Sequence, residues 1–291
     1  MPIKRICKLF GYFIKSKWMK IFILLSLLCS LITSAQAVDA EWLIPVLAYH
    51  YIAEDLSSVE ESLKGYYVTF EQFEKHLDII QAYGFTSVTL ADLAAYMEDP
   101  DANPLPPKPV VITFDDGQQG IYQYAYPSLK ERNMTATFYI VTDYIKDLAA
   151  DRCVENNWDG VSSCHVIWSE LVEMAADGFE IGSHTKTHPG NMDDLYNSGP
   201  GGVTAVTDEI VGSKQALEDH LDDYTVFTFA YPHGIGVDNA TIKQILVENG
   251  YIGAVAYGGV YEDLVNPAVN DIFALPRRAV DLVHTSILNG D

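Results

Sequence analysis

The chain predicts an α/β fold in a single domain, with parallel strands wrapped by helices and closed, or nearly closed, into a barrel. Apolar strand-like runs alternate with helix-like runs along most of the 291 residues. Repeats of that kind build a buried parallel sheet covered by helices. The residues with chemical potential fall at the C-terminal ends of several different strand-like runs, which favours a barrel over an open doubly wound sheet. No linker interrupts the pattern, because the proline-rich stretch 99–109 runs directly into a strand.

Taken in order, Ile44–Tyr49 reads as a buried strand. Phe70–Tyr83 has helical periodicity through Phe70, Phe73, Leu77, Ile80 and Tyr83, with a capping box in Thr69 and Gln72 and a stop at Gly84. Thr86–Leu90 is a short strand and Ala91–Glu98 a short helix. Val110–Phe114 is a strongly apolar strand, Ile121–Arg132 helical and Thr135–Val141 extended. Ser169 is placed to cap a helix ending at Gly178, and Phe179–Gly182 to form the next strand. Val203–Leu221 is helical, Thr225–Ala230 a strand, Asn239–Glu248 helical, and Tyr251–Ala256 a strand.

Residues 1–37 read as a secretory signal rather than as fold. A basic stretch from Lys15 to Lys20 precedes an apolar run, Ile21–Ile32, and a small-x-small cleavage site ending at Ala37. Met19 is an alternative start. The apolar run is shorter than the roughly 20 residues of a membrane span, so contact with a membrane is expected only if the segment stays uncleaved. The remaining domain is 38–291, and the protein is expected to be exported, whether periplasmic, cell-surface or secreted. All six Lys and Arg of residues 1–37 would leave with the signal and no acid would, which takes the net charge from −22 to about −28. Such a surface repels phosphate backbones and excludes nucleic acid as a partner. An oxidising compartment would allow Cys153 and Cys164 to pair in a disulfide.

Two short motifs carry chemistry. Thr113-Phe114-Asp115-Asp116-Gly117 sets two adjacent acids at the end of an apolar strand, with a glycine that lets the chain turn. His184-Thr185-Lys186-Thr187-His188 follows another strand. Two imidazoles four residues apart on a helical turn would have Cβ atoms about 5–6 Å apart, a spacing that suits one metal ion. Together the motifs offer an Asp/His/His ligand set and leave one acid over as a general base.

These motifs resemble those of the polysaccharide deacetylases, also called carbohydrate esterase family 4 or the NodB-homology domain. Thr-Phe-Asp-Asp-Gly matches the family's first motif and His-Thr-x-x-His its second. The stretches Pro45–His50, Tyr67–Phe70 and Thr86–Leu93 look closest to the branch that deacetylates poly-β-1,6-N-acetylglucosamine in biofilms. The resemblance implies a distorted (β/α) barrel with about seven strands and hydrolysis of N-acetyl groups on an N-acetylglucosamine polysaccharide. It implies one divalent metal ion, zinc first, with cobalt or nickel as alternatives. Asp115 would be the catalytic base, and Asp116, His184 and His188 would hold the metal.

The third motif of the family usually runs Arg-x-Pro-Tyr, whereas Ala230-Tyr231-Pro232-His233 stands here. The missing arginine is expected to be replaced by Arg277, paired with Asp115, and the backbone N–H of His233 to donate to the oxyanion. The fourth motif has no counterpart. The fifth, Leu-x-His, matches Leu282-Val283-His284 and implies His284 as general acid. His50 and Tyr231, at strand ends, are expected to line the substrate groove, and the protein to act as a monomer on a polysaccharide. Two other readings fit the same residues: an esterase for O-acetyl groups on xylan or another glycan, and a glycan-binding relative without turnover.

Overall fold

The computed structural model describes residues 43–57, 59–61, 63–155, 162–257 and 264–280. The expected signal segment and His284 lie outside them. In chain order the strands are β1 (Val46–Tyr49), β2 (Tyr51–Ala53), β3 (Tyr67–Thr69), β4 (Thr86–Val88), β5 (Pro109–Phe114), β6 (Thr137–Ile140), β7 (Cys153–Glu155), β8 (Ser162–Cys164), β9 (Glu180–Ser183), β10 (Thr228–Ala230), β11 (Gly253–Val255) and β12 (Arg278–Ala279). The helices are α1 (Phe70–Ala82), α2 (Leu90–Glu98), α3 (Tyr126–Glu131), α4 (Trp168–Ala176), α5 (Met192–Tyr196), α6 (Gly202–His220) and α7 (Ala240–Glu248).

The main sheet runs β11-β10-β9-β6-β5-β1-β12, all parallel, with β4 paired to β5 beside this path. The last strand closes the ring. Leu275 bridges Val255 of β11, while Arg278 and Ala279 pair with Leu47 and Ala48 of β1. Seven strands on the path, wrapped by helices, make a distorted (β/α) barrel, as the sequence predicts.

The strands alternate strictly between two cores. One set, including Val46, Val111, Tyr139, Ala230, Val255 and Leu275, fills the barrel. Their neighbours, including Leu47, Ile112, Phe138, Ile181 and Phe229, pack outward under the helices. Gly182 belongs to the inward set. A Cβ there would stand 2.5 Å from the Tyr139 ring, so the glycine makes room for that side chain. On the outer side the Phe114 ring stacks on Tyr49 and Phe138, with centroids 5.2 and 4.9 Å away, and meets Phe73 of α1 edge-on.

Helix α1 forms as its sequence requires. Thr69 Oγ1 accepts from Gln72 N, Gln72 Oε1 accepts from Thr69 N, and Gly84 follows the helix at φ 73°. The segment from Ile121 is helical as expected, with a π-turn over Ile121–Ala125 running into α3. Pro127 supplies no N–H to the ladder and crowds the carbonyl four residues back, which widens the turn before it. Ser169 is not the cap of α4; the helix already starts at Trp168, and Ile167 N donates to Glu170 Oε2. Strands β2 and β3 pair with each other, and the antiparallel β7 and β8 are joined by the disulfide Cys153–Cys164.

His76 lies on the buried face of α1, its Nδ1 3.1 Å from the Tyr49 hydroxyl. Burial lowers its pKa from 6.5 to about 4. Between those values the unfolded chain binds a proton that the folded one does not. The associated stability is therefore complete above pH 6.5 and is lost as the pH falls toward 4, by at most about 1.4 kcal/mol per pH unit. His76→Gln keeps a hydrogen-bonding side chain and removes the titration. Urea unfolding of both proteins at pH 7, 6 and 5 should show the wild type losing stability faster; parallel losses would contradict this account.

Candidate active site

Asp115 and Asp116 leave β5 at the barrel mouth. Successive side chains of an extended strand point to opposite faces, and Asp115 continues the inward set after Val111 and Thr113. Asp116 would point outward, but its backbone turns into the left-handed region at φ 70°, followed by Gly117 at φ 74°. Both carboxylates thus reach the mouth, and both are buried. At Gly117 a side chain would be strained by that φ and would meet Ile140 at 3.1 Å.

Asp115 is gripped by Arg277, the residue just before β12. Arg277 Nη1 donates to Oδ1 and Nη2 to Oδ2, each at 2.7 Å. The guanidinium is fully buried, and two more of its donors are met, Nε by Ala256 O at 2.8 Å and Nη1 by Thr113 Oγ1 at 3.1 Å. The rings of Tyr139 and Tyr257 lie 5.7 Å from its central carbon. Burial pushes the Asp115 carboxyl up, but the charges of Arg277 and His184 and the bonds from Arg277 outweigh it and hold the pKa below its ordinary value.

His184 follows β9 on the inward side, as Glu180 and Gly182 do. The loop to His188 is not the helical turn expected from the spacing. Thr185 and His188 both take positive φ, 69° and 55°, and this bends the loop so that the two rings meet with centroids 4.8 Å apart. His184 Nδ1 lies 2.8 Å from Ala230 O. A carbonyl only accepts, so Nδ1 carries a proton and Nε2 is the atom turned to Asp116. Asp116 Oδ1 stands 3.4 Å from His184 Nε2 and 3.5 Å from His188 Nε2. Its Oδ2 accepts from the Tyr51 hydroxyl at 2.7 Å.

Donor atoms of Asp116, His184 and His188 all lie within 4.8 Å of one another. Ligands about 2.0–2.1 Å from a tetrahedral zinc stand roughly 3.3 Å apart. The Asp–His separations match that figure, and a buried set of two nitrogens and one oxygen fits a divalent ion. Burial drives the Asp116 carboxyl up, but the hydrogen bond and charges of the surrounding histidines hold it well below its usual range. Burial also lowers the His188 pKa to about 3, which favours a neutral imidazole.

His50 sits among the Tyr257, Tyr66 and Tyr51 rings, with centroids at 4.8, 5.4 and 5.9 Å. Burial lowers its pKa, while the charges of Asp115 and Asp116 pull it the other way. His233 is exposed in the turn after β10, at φ 56°, and its ring lies 4.8 Å from that of His188. A cavity of about 550 Å³ opens beside Tyr51, with Tyr67, Gln118, Tyr124, Ser163 and Cys164 among its walls.

The structure therefore brings Asp115, Asp116, His184, His188, Arg277, His50 and His233 to one mouth. It does not bring Tyr231 there. Two residues after Phe229, Tyr231 keeps the same outward face, is fully buried, and donates its hydroxyl to Phe273 O at 3.1 Å. The expectation that it lines the groove is corrected. Sequence reasoning missed the hydroxyl of Tyr51 on Asp116, and it missed Tyr257 and Tyr66 around His50. It also missed Glu209, an acid on the otherwise apolar face of α6 formed by Val206, Ile210 and Leu217. A charge on that face was the readable signal.

The sequence profile described as polysaccharide deacetylase matches residues 102–254, a span that holds both motifs and more than half of the chain. The chain belongs to the polysaccharide deacetylase family. Among its relatives, the poly-β-1,6-N-acetyl-D-glucosamine N-deacetylase of Staphylococcus aureus (strain MRSA252) is 26% identical over 228 residues, 76% of this chain and 70% of that protein. YxkH of Bacillus subtilis (strain 168) is 32% identical over 145 residues, 50% of this chain and 43% of YxkH. The chain thus spans less than half of YxkH. The Streptococcus pyogenes deacetylase PplD, solved with acetate, superposes with a TM-score of 0.65 at 25% identity, covering 82% of this chain and 93% of PplD.

Removing one member of a buried ion pair strands the other, at a cost of roughly 3–5 kcal/mol. Arg277→Ala should lower the unfolding free energy by that order in urea titrations and depress any turnover with it. Arg277→Lys restores a point charge but not the two parallel bonds, and should recover only part of both. An Arg277→Ala protein as stable and as active as the wild type would show that the pair is dispensable.

Proposed function

We propose that the protein hydrolyses N-acetyl groups of an N-acetylglucosamine polysaccharide, poly-β-1,6-N-acetylglucosamine first, and releases acetate. The observation that carries this reading is the buried Asp115–Arg277 pair beside the Asp116/His184/His188 cluster. One carboxylate is held ready for proton transfer and the other faces two imidazoles. Family membership and the names of the relatives support the substrate class. The acetate bound by PplD is the product that such a reaction leaves.

Asp116, His184 and His188 would hold a divalent ion, zinc first, with the Nδ1–H bond to Ala230 O keeping His184 in the right tautomer. Such an ion polarises an acyl oxygen and makes water a better nucleophile at neutral pH. Asp115 Oδ takes the proton as water adds to the acetamide carbon. Arg277 keeps that carboxylate ionised and fixed in orientation while it waits. The backbone N–H of His233 donates to the oxygen that becomes negative. The C–N bond then breaks, the amine takes a proton, and acetate leaves with the added oxygen. His284, by family resemblance, and His50, by its place near Asp115, are the two candidates to supply that proton. Tyr51 and the adjoining cavity offer the wall along which a chain of sugars would lie. The same reading has the protein acting outside the cytoplasm; among the described residues no helix is long and apolar enough to cross a membrane.

Acetate release from β-1,6- and β-1,4-linked N-acetylglucosamine oligomers tests the reading. Chelated protein should be inactive and regain activity with zinc, cobalt or nickel. Asp115→Asn should lose at least about 10²-fold in kcat. His284→Ala and His50→Phe, compared at saturating substrate, assign the proton donor to whichever loses kcat rather than KM. If the metal-loaded wild type releases no acetate from either oligomer, the N-deacetylase reading is wrong.

A further inference from the structure

We infer that Glu209 is a positioning residue for the two histidines, acting through the loop that joins them. It lies on α6, 7% exposed, and it turns inward on a face otherwise built from Val206, Ile210, Ser213 and Leu217. Its carboxylate collects three donors from the two residues between Thr185 and His188. Oε2 accepts from Lys186 N at 3.0 Å and from Thr187 N at 2.8 Å, and Oε1 accepts from Thr187 Oγ1 at 2.7 Å.

The rest of the loop is tied elsewhere. His184 N donates to Ile140 O, and His188 N to Thr185 Oγ1, both at 3.0 Å. On the side of β6, Thr142 N donates to Thr185 O and Asp143 N to Lys186 O. Glu209 therefore meets the two backbone N–H groups at the apex, where these strand-side bonds offer no acceptor. Without it, two half-buried amides and a hydroxyl lose the bonds that the carboxylate accepts.

The backbone makes this bracing necessary. Thr185 is β-branched and sits at φ 69°, and His188 sits at φ 55°. That region is uncommon for histidine and an outlier for a β-branched side chain, and such conformations persist only where the surroundings over-determine them. The two residues at positive φ flank the two that Glu209 holds. A relaxed loop would move His188 away from Asp116 and His184, since only the bend brings the rings together. Outer contacts of this kind orient metal ligands, and their loss typically weakens metal binding about 10–100-fold.

The inference rests on reading Asp116, His184 and His188 as a metal site, and zinc binding separates the two claims. Zinc dissociation constants of the metal-stripped full protein are measured by competition with a chromogenic chelator, with far-UV circular dichroism of the same metal-free samples as the check on folding. Glu209→Ala should bind zinc roughly 10–100-fold more weakly than wild type. Glu209→Gln should stay within about threefold, because its carbonyl still accepts from both amides and its amide donates to Thr187 Oγ1. A purely architectural glutamate would change folding without this split between alanine and glutamine. A folded Glu209→Ala with wild-type zinc affinity overturns the proposal, as does equal weakening in both variants. If Glu209→Ala does not fold, Thr187→Val, which removes one of the three donors, decides: a loss of about threefold or more supports the bracing, and no change overturns it. A wild type that takes up no zinc would instead remove the metal reading itself.

Discussion

Asp115 and Arg277 lie 162 residues apart and meet out of contact with water. A guanidinium in that setting is tolerable because four of its five N–H donors are matched by Asp115, Thr113 and Ala256, with tyrosine rings on its flanks. Meeting those partners requires the chain between Leu275 and Ala279 to lie between β11 and β1, which is also what closes the barrel. The same stretch of chain thus closes the barrel and completes the site. A buried pair of this kind gives little net stability over well-packed apolar residues of the same volume. Its value is an ionised, oriented carboxylate at the mouth and a defined register for the last strand.

Backbone strain is concentrated at the same place. Seven non-glycine residues among those described take positive φ, and four of them are Asp116, Thr185, His188 and His233. Glycine would relieve each, but a glycine has no carboxylate, hydroxyl or imidazole. The cost of each left-handed residue, roughly 1–2 kcal/mol, is offset by burial and hydrogen bonding around it. Lys108, Asn133 and Asp223, the other three, end in turns near strands or helices, where such conformations are ordinary.

What the sequence revealed divides along the same line. The cap of α1, the stop at Gly84, the apolar β5 and the two motifs at strand ends are local patterns, and they were readable. So was the alternation of strands and helices that makes a barrel. The direction of a side chain is a matter of register. Tyr231 lies near a strand end, but its step of two from Phe229 sets it on the outward face, away from the mouth. The bend at Thr185 and His188 was invisible because nothing in His-Thr-Lys-Thr-His announces positive φ; the spacing fits a helical turn equally well. Strands β2 and β3 escaped because a polar stretch separates them, so neither shows a run long enough to read.

The hardest question posed by the sequence was how two adjacent acids could share one strand end without one of them holding a proton. Neighbouring carboxylates in a buried setting repel, and the usual outcome is a raised pKa for one. Here the backbone gives them separate partners. Asp115 keeps the direction set by β5 and spends both oxygens on Arg277. Asp116, turned by its positive φ, presents Oδ1 to two imidazoles and Oδ2 to the Tyr51 hydroxyl. Both carboxyls are held below their ordinary values, and neither can take the other's place without breaking bonds on both sides. The proposed division of labour between base and ligand therefore needs no difference in residue type. It follows from one left-handed residue, the glycine after it, and an arginine delivered by the far end of the chain.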